Sequence, residues 1–581
     1  MSSSQLSWQD LQPNISGYSS VFSLIAEEKT DSLAKVQPRL LNALKYIHQQ
    51  TEGFPLLLVC SQENVDYLKL IAHQMQLIAS EPCNLYGGHY HINTDYVTLH
   101  PPSDPSHPFT VTGQVHFAEW IENNQLFGYV RLRHDGIQLE PGLIHRANGS
   151  TLVLSLHTLQ TQPLLWLRLK RAIQLGSIEW QSTDERSPLP VSIPPLPLNL
   201  KLVLCGNRNT LAAFQENDPE LYELATYTEF EENLQIVDEH DLLAWCRWTQ
   251  HLALEANFPI PQMNFWPPLI REAVRYTYDQ KVLPLCPRWL LRQIREAFMQ
   301  GHTLSEATLL SALKLRNWRE AFLAERMHDE ILLKQIIIET NGELVGQVNG
   351  LSVVEVPGHP RPWGEPSRIT CVTYPGDGEF TDVERKVELG GKIHAKGIMI
   401  MQAYLIAELE LEQQLPFSAS LVFEQSYSEV DGDSASLAEL CALISALANQ
   451  PVNQQIAVTG SVDQFGNIQP VGGLNEKIEG FFTICNARKL TSQQGVIIPA
   501  CNVRNLSLNQ DVVDAVEQGL FHIWAINRAD EALPLLTRVA WRSEKENGDC
   551  LLSRIQERII QFNNHEASYR PWPFSWLNWF K

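Results

Sequence analysis

Two short segments of this 581-residue chain carry residue types that together can cleave an acyl bond. The first segment, Asp431-Gly432-Asp433-Ser434-Ala435-Ser436, is followed at once by an apolar stretch with the character of a helix. A glycine-containing turn thus delivers Ser434 to the beginning of a helix, where unpaired backbone N–H groups carry partial positive charge. Such donors stabilise the oxyanion that forms when a serine attacks a carbonyl, so Ser434 is a candidate nucleophile.

A serine is a weak nucleophile at neutral pH and needs an adjacent base. The second segment, Val471-Gly472-Gly473-Leu474-Asn475-Glu476-Lys477, supplies one, because its double-glycine turn opens another helix. Lys477 falls in the first turn, where the helix dipole and apolar surroundings both disfavour the ammonium form and lower the lysine pKa. We therefore predict that Ser434 and Lys477, which are 43 residues apart, form a nucleophile–base pair.

The stretch between the two segments, residues 455–471, is strand-like with a turn at 463–467. Thr459-Gly460 ends its first half, and the Thr459 hydroxyl is a candidate for orienting the lysine amine. Each motif alone has a plain structural alternative, because G-x-S turns are common helix N-caps and Gly-Gly pairs often precede helices. Their conjunction in this order favours catalysis.

Residues 340 to 540 resemble the proteolytic domain of Lon peptidases, most closely the LonB-like branch. The letters DGDSAS match the nucleophile motif of the family with its serine at Ser434, and VGGLNEK matches its G-G-x-x-E-K signature with the base at Lys477. The intervening Ala457-Val458-Thr459-Gly460 also fits the family. The resemblance implies a serine endopeptidase in which a peptide carbonyl acylates Ser434, water hydrolyses the acyl-enzyme, and Lys477 shuttles protons in both steps.

The same resemblance implies supporting roles for two further residues. Thr459 would hold the lysine, and Asp431, three residues before the nucleophile, matches an acidic position that modulates the alignment of the pair. A solvated turn residue is the alternative for Asp431. Glu424, His394 and Lys396 lie in the same domain and receive no role. We expect no metal ion and no cofactor.

The elements that position these residues begin with three apolar runs that predict buried strands, at residues 54–60, 152–154 and 200–206. Helix-like stretches such as 162–175 lie between the runs. Strands that alternate with helices indicate an α/β domain with a largely parallel sheet, which we assign to residues 1–250.

Residues 251–339 are helical in pattern, with apolar positions at three and four spacing, no strand signal and a long connecting helix over 304–334. Residues 340–541 mix strand and helix patterns, which indicates a compact α+β domain. Residues 542–581 form a tail in which six aromatic side chains fall between 569 and 580. Such residues are typical interaction anchors, although a tail that packs on its own domain is an equal alternative.

The front of the chain resembles the AAA+ motor that normally precedes a Lon protease domain, with residues 143–149 before its acidic strand, 204–208 as its sensor strand and 270–335 as its lid. A phosphate-binding loop needs glycines and a lysine. Residues 61–67 read SQENVDY, with neither of these and with two acids. No carboxylate for Mg²⁺ occurs at 152–157. We expect a degenerate AAA+-like domain that cannot hydrolyse ATP, with an unconventional nucleotide pocket as the alternative.

Composition limits the class of protein. A net charge of −22 gives no basic footprint for nucleic acid. The chain begins without a signal-peptide pattern and has no run of about 18 apolar residues that would span a membrane. Ten cysteines are scattered without a C-x-x-C pair, which is typical of reduced thiols in the cytoplasm. His89-Tyr90-His91 has no third metal ligand nearby, so an ordinary strand or loop is the simpler interpretation.

The sequence thus predicts an α/β AAA+-like front domain, an all-helical lid and an α+β Lon proteolytic domain. Its predicted function is that of a cytoplasmic, ATP-independent, Lon-like serine endopeptidase acting on unfolded proteins or peptides. The resemblance implies a homo-oligomer, since relatives form hexameric rings. The alternative from another class is a non-catalytic binding or regulatory protein that uses the Lon scaffold to hold clients or assembly partners.

Overall fold

The computed structural model describes residues 4–25, 33–79, 84–93, 96–133, 136–182, 188–189, 191–376, 378–409, 417–426, 431–543 and 548–569. In the front of the chain, five parallel strands form one sheet: β1 (Leu56–Cys60), β2 (His116–Ala118), β3 (Thr151–Ser155), β4 (Lys201–Gly206) and β5 (Ala225–Glu229). Their spatial order is β5-β1-β4-β3-β2. This sheet confirms the strands predicted from the three apolar runs.

Helices cover both faces of the front sheet, which explains why its three central strands, β1, β3 and β4, are largely apolar. Leu57 and Val59 of β1 face one hydrophobic cluster, and Leu56 and Leu58 face another. The longer helices are α1 (Pro38–Gln49), α2 (Val65–Ile78), α3 (Pro163–Leu175) and α4 (Arg208–Asn217). Shorter ones span Ser19–Leu24, Leu33–Val36, Asn123–Phe127, Leu143–Arg146, Leu156–Thr161 and Leu221–Leu224.

Small antiparallel pairs extend from this domain. They join Tyr86–Gly87 to Thr110–Val111, His89–Ile92 to Val97–His100, Tyr129–Arg133 to Gly136–Glu140, and Ser177–Ile178 to Leu196–Pro197. The His89-Tyr90-His91 segment therefore lies in an ordinary strand, as expected.

The middle of the chain is helical with two departures from the prediction. Its helices are α5 (Glu239–Glu255), α6 (Trp266–Thr277), α7 (Pro287–Gly301), α8 (Glu306–Glu320) and α9 (Phe322–Leu332). A strand does intervene, because β7 (Val282–Pro284) pairs with β6 (Asn233–Gln235), and a three-residue strand is too short to show a period. The long connecting helix is broken at Ala321, since α8 packs on α7 whereas α9 packs on the protease domain; the apolar spacing continues across the break and conceals it.

The protease domain is built on a mixed seven-stranded sheet of order β10-β11-β9-β8-β12-β13-β14. Its strands are β8 (Gln347–Val354), β9 (Trp363–Pro375), β10 (Phe380–Asp382), β11 (Phe417–Glu424), β12 (Ile456–Val458), β13 (Gln494–Pro499) and β14 (Phe521–Ile526). The strands β8, β9 and β11 are antiparallel neighbours, and β8, β12, β13 and β14 run parallel. Two short pairs join Glu343–Leu344 to Val452–Asn453 and Ser461–Val462 to Ile468–Gln469.

Two helical layers enclose this sheet. The helices are α10 (Lys392–Leu409), α11 (Ser436–Ala448), α12 (Leu474–Ala487), α13 (Gln510–Glu517), α14 (Ala529–Thr537) and α15 (Leu551–Tyr569), with the short Val383–Lys386. On one face α11 packs with α10, α14 and α15, and on the other α12 packs with α13. Among the helices that the structure describes, none has the length and apolar character needed to cross a membrane.

Both ends of the described chain join the protease domain. Helix α15 buries Leu551, Ile555, Ile559 and Phe562 in the core, so part of the segment assigned to a tail is integral to the domain. The aromatic segment 570–581 lies outside the described residues. At the other end, the N–H of Leu6 donates to the carbonyl of Ile523 in β14 at 2.9 Å, although the sequence assigned residue 6 to the front domain.

Candidate active site

Ser434 lies in the turn just ahead of helix α11. Gly432 in this turn has a φ of +107°, in the region that favours glycine. The carbonyl of Ser434 accepts the N–H of Gly460 at 2.9 Å, which ties the turn to the segment after β12. All 13 residues of α11 are buried, so the serine begins a helix that is embedded in the core.

Lys477 lies in the first turn of helix α12, as predicted. Its N–H donates to the carbonyl of Gly473, which has a φ of +63° and lies at the beginning of the helix. Strand β9 passes directly beneath, because a Cβ at Gly364 would fall 1.9 Å from the carbonyl oxygen of Glu476. This close approach leaves Lys477 only 3% exposed.

The structure brings three of the four predicted site residues together. The Nζ atom of Lys477 lies 3.0 Å from Oγ of Ser434 and 3.3 Å from Oγ1 of Thr459. Burial lowers the pKa of Lys477 to about 8, against a smaller opposing effect of the Asp433 carboxylate. At pH values near 8, a large share of the amine is therefore unprotonated and able to accept a proton.

The Thr459 hydroxyl has a defined direction. It donates to the carbonyl of Ser434 at 3.3 Å, so towards Lys477 its oxygen can act only as an acceptor of an N–H hydrogen. An amine that donates to Thr459 keeps its lone pair for another neighbour, and the Ser434 hydroxyl is within reach. The threonine thus orients the amine and supports the serine turn at the same time.

Asp431, the fourth predicted residue, lies away from the lysine. Its carboxylate accepts the N–H groups of Ile393 at 3.2 Å and Gly432 at 2.9 Å, and so links the serine turn to the beginning of α10. The carboxylate whose charge acts on Lys477 is that of Asp433. Sequence reasoning did not single out Asp433, although its place beside Ser434 was a usable signal.

The expected oxyanion donors at the beginning of α11 are partly occupied. The N–H of Ser436 donates to the carbonyl of Asp433 at 3.1 Å, and the N–H of Leu437 donates to that of Gly460 at 3.1 Å. The first turn of the helix is therefore closed by backbone carbonyls, which the sequence pattern did not predict because Gly460 is distant along the chain.

An ion-pair cluster joins the helical region to the helix that carries Lys477. Arg275 of α6 contacts Glu479 through Nη1 at 2.5 Å and Nη2 at 3.0 Å. It also lies 3.8 Å from Glu476, the residue next to the lysine. The guanidinium additionally donates to the carbonyl of Ser507 at 2.9 Å. A residue of the helical region thus contacts α12 from outside the protease domain.

In the front sheet, the edge at the carboxyl ends of the strands is occupied by the side-chain carboxylate of Glu63. The Oε2 atom of Glu63 accepts the Ser155 hydroxyl at 2.9 Å and the N–H of His157 at 2.8 Å, and Oε1 accepts the N–H and the Nδ2 of Asn207, each at 3.1 Å. Glu63 follows β1, Ser155 ends β3, and His157 and Asn207 follow β3 and β4. An internal carboxylate that follows β1 therefore occupies donors at the carboxyl ends of the two strands β3 and β4.

The beginning of α2, the helix after β1, is closed as well. Its N-cap residue Asn64 accepts the N–H groups of Asp66 and Tyr67 through its side chain. Exposed N–H groups at such a position are what a phosphate requires. Because Asn64 occupies them and Asp66 adds a negative charge, this helix terminus is unsuited to phosphate.

Both arginines that line the adjacent cleft in the described part of the chain lie next to glutamates of the same cleft. Arg208 pairs with Glu229 at 3.0 Å, and Arg39 lies 3.6 Å from Glu231. Glu232 also lines the cleft, and no lysine is among the described residues that do so. The described residues that line the cleft therefore include no lysine that could bind the phosphates of a nucleoside triphosphate.

Two families match separate parts of the chain. Residues 116–228 match the family described as "LonB-like, AAA domain", and residues 426–537 match "Lon protease (S16) C-terminal proteolytic domain". With the fold, these matches define a protease in which an AAA-like α/β unit precedes a proteolytic domain.

Similar proteins extend this result to the full length. A protein of Escherichia coli (strain K12), provisionally named a Lon protease homolog, is 53% identical over 100% of both chains. A protein of Haemophilus influenzae with the same name is 40% identical over 91% of this chain and 89% of its own. The archaeal Lon protease of Pyrococcus abyssi is 26% identical over 73% of this chain and 41% of its own. The chain belongs to the Lon protease family.

Proposed function

We propose that the protein is an ATP-independent serine endopeptidase in which Ser434 is the nucleophile and Lys477 the general base. The contact of 3.0 Å between Lys477 Nζ and Ser434 Oγ carries this proposal. A buried amine with a pKa of about 8 beside a serine hydroxyl is the arrangement that base-assisted nucleophilic attack requires. Membership of the Lon family supports a peptide bond as the substrate.

In the first step, Oγ of Ser434 attacks the peptide carbonyl while the Lys477 amine accepts the hydroxyl proton. The tetrahedral intermediate collapses, the C–N bond breaks, and the lysine ammonium returns the proton to the leaving amine. Water then attacks the resulting ester and gives a proton to Lys477. When the C–O bond to Ser434 breaks, that proton restores the serine hydroxyl.

The oxyanion of both intermediates needs N–H donors close to the serine. Because the N–H groups of Ser436 and Leu437 already donate to carbonyls, we assign this role to the N–H groups of Ser434 and Ala435. Thr459 holds the amine in register throughout, and Asp431 acts indirectly by fastening the serine turn to α10.

Independence of ATP is supported by the front sheet. The Glu63 carboxylate and the Asn64 cap occupy the donors that a nucleotide phosphate would need. Without a motor, a folded substrate cannot be pulled apart, so unfolded proteins and peptides are the proposed substrates. A homo-oligomer, with the hexameric ring as the specific form, and a cytoplasmic location, to which the free thiols of the described cysteines are suited, complete the proposal.

A single experiment tests both parts of the proposal. The full-length protein is incubated with an unfolded casein-type substrate, with and without Mg·ATP, alongside Ser434→Ala and Lys477→Ala. We expect cleavage that is the same in both conditions and is lost in both variants.

Two other outcomes would each overturn one part. Strong stimulation by Mg·ATP would contradict the closed front site. Substrate binding that persists in Ser434→Ala, with no cleavage by any form including an assembled oligomer, would favour the non-catalytic scaffold instead.

A further inference from the structure

A second polar cluster lies in the core of the protease domain and has no part in the proposed hydrolysis. Asp382 ends β10, Glu384 lies in the short helix Val383–Lys386, and His394 lies in the first turn of α10. One ligand atom of each side chain lies within 4.8 Å of the others. Glu439, in the first turn of α11, brings its Oε1 to 3.9 Å from Nε2 of His394. None of the four residues is more than 7% exposed.

The side chains are held so that polar atoms point into the cluster. Oδ1 of Asp382 accepts the N–H of Arg385 at 3.4 Å, and Oε1 of Glu384 accepts that of Phe423 at 2.8 Å. Oδ2 of Asp382 and Nε2 of His394 lie 3.3 Å apart as an ion pair, and neither atom makes a hydrogen bond of good geometry with a described residue. Both are therefore buried polar atoms that a further ligand could satisfy.

The distances suit a shared ion. Two ligands bonded to one Zn²⁺ at about 2.0–2.2 Å and near a tetrahedral angle are separated by roughly 3.3–3.6 Å, and the Asp382–His394 separation is 3.3 Å. The Glu439 oxygen, at 3.9 Å from the imidazole nitrogen, needs only a small side-chain adjustment to join them.

The composition of the cluster also suits a cation. Three buried carboxyl groups, those of Asp382, Glu384 and Glu439, lie around one imidazole in the core. A divalent cation bound among them would offset two carboxylate charges.

We propose that Asp382, Glu384, His394 and Glu439 form a buried binding site for one divalent first-row transition-metal ion of the Zn²⁺ type. One imidazole nitrogen with carboxylate oxygens and no thiolate favours Zn²⁺, Fe²⁺ or Mn²⁺ over the all-oxygen preference of Mg²⁺ and Ca²⁺. No step of the peptidase mechanism runs through this ion.

The ion would join the elements that support the serine turn. The beginning of α10 contacts that turn twice: Ile393 donates its N–H to Asp431 at 3.2 Å, and a Cβ at Gly397 would lie 3.0 Å from the Cβ of Asp433. Glu439 belongs to the helix that Ser434 precedes. A metal bridge between α10 and α11 would hold both sides of the turn in place.

The test measures metal rather than activity. The full-length protein is stripped with a chelator and titrated with Zn²⁺, and bound metal is determined by mass spectrometry of the protein solution. We expect one tightly bound ion per chain that excess Mg²⁺ and Ca²⁺ do not displace. His394→Asn and Glu439→Gln should each weaken binding at least about 100-fold, the upper range seen for loss of supporting groups around a metal.

Two matched variants identify where the ion binds. Glu379→Gln removes an exposed carboxylate from the same segment, and His107→Asn removes a ring that stacks on His89 in the front domain. Both should keep the tightly bound ion. Zinc that is lost in His107→Asn but retained in His394→Asn would assign the ion to these surface histidines and overturn the proposal.

The unsubstituted protein decides the matter even where a variant fails to fold. Zn²⁺ at about 100 times its Kd should raise the Tm by several degrees, because a ligand that binds only the folded state stabilises it. Co²⁺ should give visible d–d absorption. Substoichiometric metal together with a Tm that neither Zn²⁺ nor a chelator changes would show that the cluster holds protons alone.

Discussion

The front sheet and the protease domain differ in how they cap the N-terminus of a helix that follows a glycine or polar turn. In the front sheet, the side chains of Asn64 and Asn207 cap their helices, and Glu63 accepts hydrogen bonds from Ser155, His157 and Asn207 at the same edge. In the protease domain, the N-caps of α11 and α12 are Ala435 and Gly473, neither of which supplies a capping side chain. In the first region, the cap and carboxylate groups named above are hydrogen-bonded within the chain. In the second region, a buried amine lies beside a hydroxyl.

The difference teaches how one type of local structure becomes inert or reactive. A carboxylate with four donors and a capped helix are stable because every polar group has a partner. Lys477 has two hydroxyl neighbours and no carboxylate within hydrogen-bonding distance among the described residues. No ion pair therefore offsets the cost of burying the ammonium, and the pKa of Lys477 is lowered. In the mechanism that we propose, the basicity required of Lys477 comes from an amine that the fold buries without a counter-ion.

The largest effect should come from giving the amine a permanent charge. Lys477→Arg keeps a cation and donors at the site, but a guanidinium cannot act as a base near neutral pH. We expect the kcat/KM for peptide cleavage to fall by about 10³-fold or more. Lys314→Arg and Ser311→Ala, at exposed positions of α8, are the matched controls. Substantial activity in Lys477→Arg would mean that the lysine acts through its charge rather than as a base.

Substitution of Glu63 at the edge of the front sheet should lower the stability of the protein and leave its peptidase activity unchanged. Glu63→Ala leaves the Ser155 hydroxyl and the N–H groups of His157 and Asn207 without an acceptor. The free energy of unfolding should fall by about 1–3 kcal/mol, as measured by denaturant titration. Peptide cleavage below the unfolding transition should not change.

Glu52→Ala, at an exposed position in the same domain, provides the comparison for that variant. If Glu63→Ala binds Mg·ATP where the unsubstituted protein does not, Glu63 is itself the element that closes a latent nucleotide site. If it binds none and loses no stability, the internal-anion interpretation of this edge is wrong.

A smaller effect on the rate of peptide cleavage is expected from Thr459, which supports the site through its hydroxyl group. Thr459→Val removes the acceptor of the Lys477 N–H and the donor to the Ser434 carbonyl while keeping the shape of the side chain. The kcat should fall about tenfold, with KM nearly constant. Thr459→Ser should restore most of the rate. An equal loss in both variants would point to packing rather than hydrogen bonding.

The smallest effect concerns the charge beside the lysine. Because the neutral amine is the active form, kcat/KM should rise with pH and reach half its maximum near the Lys477 pKa of about 8. The Asp433 carboxylate raises that pKa, so Asp433→Asn should move the midpoint to lower pH. The measurement is a pH–rate profile of both forms. A midpoint that moves upward would contradict this role of Asp433.

The sequence alone predicted those parts of the candidate site that depend on neighbours along the chain. The turn before Ser434, the double glycine before Lys477 and the missing phosphate-binding loop are all local patterns. Backbone rules for turns and helix beginnings act over a few residues, so these patterns predicted Ser434 in the turn before one helix and Lys477 in the first turn of another. Burial of β1, β3 and β4 was likewise evident from continuous apolar runs.

Only the tertiary structure decided which distant groups meet. Glu63 accepts hydrogen bonds from Ser155 and Asn207, the carboxylate whose charge acts on Lys477 is that of Asp433, and Arg275 contacts α12 from the helical region. The cluster of His394 and its carboxylates is assembled from separate elements in the same way. Contacts of this kind follow from strand order and helix packing, because no local pattern encodes how a chain brings residues far apart in sequence within hydrogen-bonding distance.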